Sequence, residues 1–279
     1  MITQTAPEGE AHFVMTMAEH MEMCGQMARA FGNDRFERLN PFEQMLYVVE
    51  NHDRGWDEYD ANPGLDDDRL PYIMSRTPTL ANMKTNKDSP EYNEAHDPFC
   101  GLISSMHSWG LYHKRYGFTR FVVRARTTTS ITVQNIYQPA VDAMLDNEIQ
   151  RQNRLKKTLA DNPLTSAWAA EKKILQSYKQ LQFFDTLALY FNLYHAFERG
   201  DQEYVHVPMN EEADATLMLR KVNDNVYSLA PFPFAADRIT LVCPGRYVKP
   251  FPTGFDELKV GAALRSMPTD KQTCELIAA

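Results

Sequence analysis

The sequence lacks most features of extracellular, membrane or nucleic-acid-binding proteins. Its four cysteines, Cys24, Cys100, Cys243 and Cys274, are widely spaced and form no CxxC pair. That usage fits a reducing cytoplasm better than a disulfide framework, so a cytoplasmic location is expected. No apolar run reaches the ~18 residues that suggest a membrane span. Residues 1–10 carry no basic region followed by an apolar run, so no signal peptide is expected. Positive charge is short too: 29 Lys and Arg face 37 Asp and Glu, for a net charge of −8. A phosphate backbone needs a basic face, which argues against a general nucleic-acid binder. There is no internal repeat and no low-complexity tract.

What remains is an ordinary globular composition. Hydrophobic residues make up 43% and charged residues 24% of 279 positions, enough for one large domain or a domain with an appendage. Fourteen methionines suggest a deformable core or pocket lining.

The stretch Asn51-His52-Asp53-Arg54-Gly55-Trp56-Asp57-Glu58 sets a histidine beside an aspartate where an apolar helix pattern stops. Splayed at a helix end, both can reach one ion, and imidazole plus carboxylate suits Zn, Fe or Mn. Alone, such a pair is more often a helix cap and a solvated acid. Residues 11–31 read as a helix with Phe13, Met17, Met21, Met27 and Phe31 on one side and His20 within it. A second helix starts after Asn40-Pro41 and runs to the doublet. Residues 60–98 read as an irregular connection, a lid or wall containing Tyr72.

A helix after Asp97-Pro98 carries His107, Trp109 and Tyr112, with His96 just before it and His113 just after. A basic segment follows at 114–126, with Arg115, Arg120 and Arg124. Residues 139–159 and 166–199 read as helices. The stretch 181–197 of the latter is apolar on nearly all sides, as a central buried helix is. Asp185 sits in its middle, where a carboxylate must be paired, protonated or bound to metal. Short β-like runs at 204–207, 216–219, 226–229 and 238–243 predict a small antiparallel sheet, followed by a helix over 255–267 and a mobile tail. The expected fold is mainly α: a helical metal-binding domain over 1–199 and a small β-rich extension over 200–279.

The order His20, His52-Asp53, His107, Asp185 resembles the HD-domain superfamily of metal-dependent phosphohydrolases over about residues 11–199. The resemblance implies an HD-domain-like helical bundle and a divalent metal, Fe, Mn or Zn. One ion on His20, His52, Asp53 and Asp185 is the conservative set. A second, bound through His107 and bridged by Asp53, is the bolder one. Many members read HDxGK with a lysine that can meet phosphate, whereas Trp56 stands there here. The segments His20-x4-Gly25-x2-Ala28, HDRGW, SMHSWGLY, FDTLALY and PFPF also resemble an uncharacterised bacterial family with HDxGW, SxHxxGLY and DxLxLY motifs.

The expected function is metal-dependent hydrolysis of a phosphoester or related small molecule. A di-iron oxygenase and a non-catalytic binding module are the alternatives. Asp57, Glu58 or His107 would carry protons, and Asp53 is a candidate catalytic residue as well as a ligand. Arg54 or the basic segment would hold an anion, and Trp56, Tyr59, Trp109 and Tyr112 would wall a pocket. His96 and His113 are weaker candidates for further ligands.

Overall fold

The computed structural model describes residues 1–113 and 131–279. The basic segment at 114–126 lies outside the described residues. Eight α-helices occur among them: α1 (Met17–Ala30), α2 (Phe42–Asn51), α3 (Asp57–Ala61), α4 (Thr79–His96), α5 (Pro98–Tyr112), α6 (Gln138–Asp161), α7 (Glu171–Leu193) and α8 (Val260–Ser266). The strands are β1 (Ile2–Thr3), β2 (His12–Met15), β3 (Gln202–Pro208), β4 (Asp214–Lys221), β5 (Val226–Ala230), β6 (Arg238–Val248) and β7 (Asp270–Ala278). These seven strands of the described residues form one sheet in the order β1-β2-β6-β7-β5-β4-β3.

This sheet corrects the expected mainly-α class with a β appendage. The fold is α/β, with a curled seven-stranded mixed sheet packed against the helices. It is not an HD-domain fold, so the likeness to that superfamily does not extend beyond the order of the His and Asp residues. The sheet crosses residue 199: β2, from the first part of the chain, pairs antiparallel with β6 from the last. The expected N-terminal helix over 11–31 begins only at Met17, because His12–Met15 is drawn into that pairing. Its start is set by a capping box, in which Thr16 accepts from the Glu19 amide and Glu19 from the Thr16 amide.

The expected mobile tail is instead a central strand. β7 lies antiparallel to β6 and parallel to β5. Alternation along it puts Cys274 and Leu276 into the core. The 60–98 connection likewise contains the 18-residue α4. Its buried face is Asn82, Thr85, Asn86, Ser89 and Asn93, so no apolar stripe marked it. Those side chains bond neighbouring carbonyls instead; Asn86, Ser89 and Asn93 reach back to Asn82, Thr85 and Ser89.

α7 is the axis. Its residues from Gln176 through Asn192 are all buried, and it packs on α1, α2, α5 and β3. The aromatic turn Phe232-Pro233-Phe234 closes the end of α1, with Phe234 edge-on to Phe31 and the Gly32 amide donating to the Pro233 carbonyl at 2.9 Å. No helix among the described residues is long and apolar enough to cross a membrane.

Leu276 is fully buried in β7. Leu276→Ala is expected to destabilise the protein by about 2–5 kcal/mol in urea denaturation. A dangling tail would leave the midpoint unchanged.

Candidate metal centre

Four helices deliver five ionisable side chains to one interior point. α1 carries His20, α5 carries His107 and α7 carries Asp185; His52 and Asp53 follow the last turn of α2. All five are buried, and Asp53 is the most exposed at 7%, so its side is the least covered. Their ligand atoms form two groups, His20–His52–Asp185 and His52–Asp53–His107, each with its atoms within 4.8 Å of one another. His20 Nε2 lies 3.2 Å from Asp185 Oδ1, and His52 Nε2 lies 3.9 Å from the same oxygen. Asp53 Oδ2 is 3.7 Å from His52 Nε2, and Asp53 Oδ1 is 3.6 Å from His107 Nε2. Ligands at ~2.0–2.2 Å from a cation stand ~3–3.5 Å apart, so these spacings need only a small contraction.

The ring nitrogens are preset. His52 Nδ1 lies 2.9 Å from the Val49 carbonyl and can only donate to it. Nε2 of the neutral ring therefore keeps its lone pair, and this buried atom has no hydrogen-bond partner. His20 Nδ1 is 2.7 Å from Asn192 Oδ1. The Asn192 Nδ2 faces two sulfurs, Cys243 Sγ at 3.3 Å and Met23 Sδ at 3.5 Å, which leaves its carbonyl oxygen for His20. Both imidazoles thus turn Nε2 inward, as the outer hydrogen bonds of metal-bound histidines do.

The backbone carrying the doublet is held from outside. The last carbonyls of a helix have no partner within it. Here Asn93 Nδ2 donates to the Asn51 carbonyl at 2.7 Å, and Ser104 Oγ donates to the His52 carbonyl at 3.3 Å. Gly55 follows because α4 passes against it: a Cβ there would sit 2.2 Å from the Thr85 carbonyl oxygen. The glycine of the HDRGW motif is a close-approach residue for the helix that pins the doublet.

Burial opposes charge on all five groups, and their mutual attraction decides the outcome. For His20, the Cys24 sulfur and Asp185 outweigh burial and hold its pKa well above the ordinary value. For His107, burial is outweighed by Asp53 and the pKa is raised. Burial lowers the pKa of His52, with Asp53 offsetting it only in part. Burial works against ionised Asp185 and Asp53 as well, but the histidines hold both below the usual carboxylate range. The directions favour a proton on His20 and on His107 over one on His52, facing two carboxylates that favour ionisation. A divalent cation bound there would displace such protons, because its ligands must be deprotonated.

The other expected site residues lie apart from this cluster. Asp57 pairs with Arg54 at 2.9 Å and Glu58 with Lys84 at 2.8 Å, both at the surface. Arg54 also lies over the Tyr92 ring. Trp56 is core and meets Tyr59 edge-on, while Tyr112 donates to Asn82 Oδ1 at 2.8 Å. Trp109 stacks on His113 at 3.5 Å, and His96 stacks on Tyr47 at 3.5 Å. Neither His96 nor His113 belongs to the two ligand groups. Tyr72 lies beside Gly64. Sequence reasoning missed Asn192, Asn93 and Ser104. Asn192 carried a usable signal: it stands seven residues after Asp185, two turns along the same face of an apolar helix.

The pKa directions fix a pH dependence for the metal-free protein. His20 and His107, raised when folded, contribute stability that is full below the ordinary histidine value of about 6.5 and is lost as pH rises through their raised values. Asp53 and Asp185, lowered when folded, contribute stability that is full above the ordinary value of about 4 and is lost as pH falls through their lowered values. Melting temperature measured against pH in chelator should therefore fall on the alkaline side. His20→Gln should flatten that alkaline limb.

The family model described as "Protein of unknown function (DUF3891)" matches residues 1–250. Comparison with curated proteins and with solved structures finds no match. The chain therefore belongs to the DUF3891 family.

Proposed function

We propose that the cluster holds a single divalent cation and that the protein is a metal-dependent hydrolase of a small-molecule phosphoester or related substrate. The observation that carries the reading is the His52 ring, whose Nδ1 is committed to the Val49 carbonyl and whose buried Nε2 has no hydrogen-bond partner. An orphaned buried acceptor among two carboxylates is costly unless a cation or a proton meets it. Three imidazoles and two carboxylates suit Zn, Mn or Fe.

One ion fits better than two. The residue common to both ligand groups is His52, not a carboxylate. A single nitrogen lone pair serves one ion, whereas bridging two is carboxylate work.

When bound, such a cation supplies Lewis acidity and lowers the pKa of water toward ~7. The chain's own groups do the rest. His20 and His52 are aligned by Asn192 and by the Val49 carbonyl. His107, 3.6 Å from Asp53 on the least covered side of the cluster, can hold and pass a proton. A second reading rests on a specific observation: each group is a two-histidine, one-carboxylate set, which also serves non-haem iron oxygenases.

Protein purified without chelators should carry one Zn, Mn or Fe per chain by elemental analysis. His52→Ala and Asp185→Asn should lose it, Asn192→Ala should weaken binding about 10–100-fold, and Asp57→Asn should keep it. Full metal content in folded His52→Ala and Asp185→Asn would remove the site. With the metal in place, a phosphoester and ester screen is expected to give turnover. Substrate-dependent oxygen consumption in its stead would favour the oxygenase.

A further inference from the structure

A second cavity lies on the sheet side of α7; none of the five clustered residues lines it, and Asn192 stands between the two. A cavity of about 310 Å³ opens between the end of α7 and strands β6 and β7. Its lining includes Gln4, Asn192, His195, Arg199, Lys271 and Gln272. Two lining residues, Arg199 and Lys271, are cationic and none is acidic, in a chain whose net charge is −8.

Arg199 is the informative one. It is only 8% exposed, yet forms no ion pair among the described residues. Its Nε donates to the Tyr194 carbonyl at 2.8 Å, Nη2 to the Phe191 carbonyl at 2.9 Å and Nη1 to the Tyr227 hydroxyl at 3.3 Å. The guanidinium also lies over the Phe191 ring, 5.3 Å from its centroid. These neutral partners orient the group without cancelling its charge, and a guanidinium has two donors beyond the three placed here. The acid that feels Arg199, Asp224, is exposed and engaged by Lys221 at 2.8 Å. Lys271, on the same wall, is exposed and also forms no ion pair among the described residues.

A buried cation is costly unless a negative group meets it. A guanidinium fork fixed by neutral partners, with an ammonium lining the same cavity, suits a planar carboxylate or a phosphate. The polar walls of Gln4, Gln272 and Asn225 offer further hydrogen bonds. A volume near the lower end of the ~300–1,000 Å³ range of small-molecule sites admits a compact ligand. We propose that this cavity binds a small organic anion through its carboxylate or phosphate head, held by Arg199 and Lys271. The assignment stands independently of the proposed metal centre.

The test uses the full chain, freed of metal by chelator, titrated by calorimetry with inorganic phosphate and separately with succinate, against chloride of equal ionic strength. At least one anion should bind saturably. Lys271→Met and Arg199→Lys should each weaken it about tenfold, the worth of one charge-assisted hydrogen bond. Asp185→Asn should bind the anion as the parent does, which separates this cavity from the His/Asp cluster. Lys271 is exposed, so its variant tests the site even if Arg199→Lys fails to fold. Binding of phosphate alone assigns a phosphate head, and of succinate alone a carboxylate. The proposal is overturned if neither anion saturates, if Lys271→Met binds as tightly as the parent, or if folded Asp185→Asn loses the anion.

Discussion

The constraint on which the rest of the structure depends is the burial of two carboxylates, Asp53 and Asp185, in the middle of an apolar body. Taking each out of water costs several kcal/mol, and attraction repays it only where geometry and further hydrogen bonds are good. The helices are arranged to meet that condition. α7 brings Asp185 through the core, α1 and α5 each bring one histidine, and the end of α2 turns so that His52 and Asp53 face the same point. Removing any one helix would leave a charge stranded.

The surrounding polar groups explain why the motif residues are what they are. Asn93 and Ser104 satisfy carbonyls at the end of α2, and this requires α4 and α5 to lie close. Close approach requires Gly55 against α4 and Gly101 against Glu94, where a Cβ would fall 2.6 Å from the Glu94 Cβ. A helix whose inner face is Asn, Ser and Thr gains little from burial as apolar surface. Its place is set by hydrogen bonds to the segment that carries the doublet.

The sheet closes the other side. Asn192 stands at the junction: it holds His20 with its carbonyl oxygen, touches Cys243 of β6 with its amide nitrogen, and lines the basic cavity beyond. β7 fills the sheet between β6 and β5, and its burial of Cys274 and Leu276 ties the last residues of the chain to the core around α7.

The sequence by itself determined most of the helices and offered the five candidate ligands. Asp185 stood out locally as a carboxylate within an apolar helix, whereas His20, His52, Asp53 and His107 were joined to it by the likeness of their order to the HD superfamily, and the structure brings all five together. α2, α5, α6 and the buried stretch of α7 followed from periodicity. It did not determine α4, whose buried face is polar, or the fold class. β1, β2 and β7 are short or terminal segments whose meaning depends on partners far away in sequence: β2 pairs with β6, more than two hundred residues later. Strand pairing is a non-local choice, so only the tertiary structure could decide that the chain ends form one sheet. The same holds for Asp57 and Glu58, which follow the doublet within a few residues and pair with surface partners, Arg54 and Lys84. It holds too for Arg199, an ordinary basic residue in the sequence, which became informative only once its burial without an ion pair among the described residues could be seen.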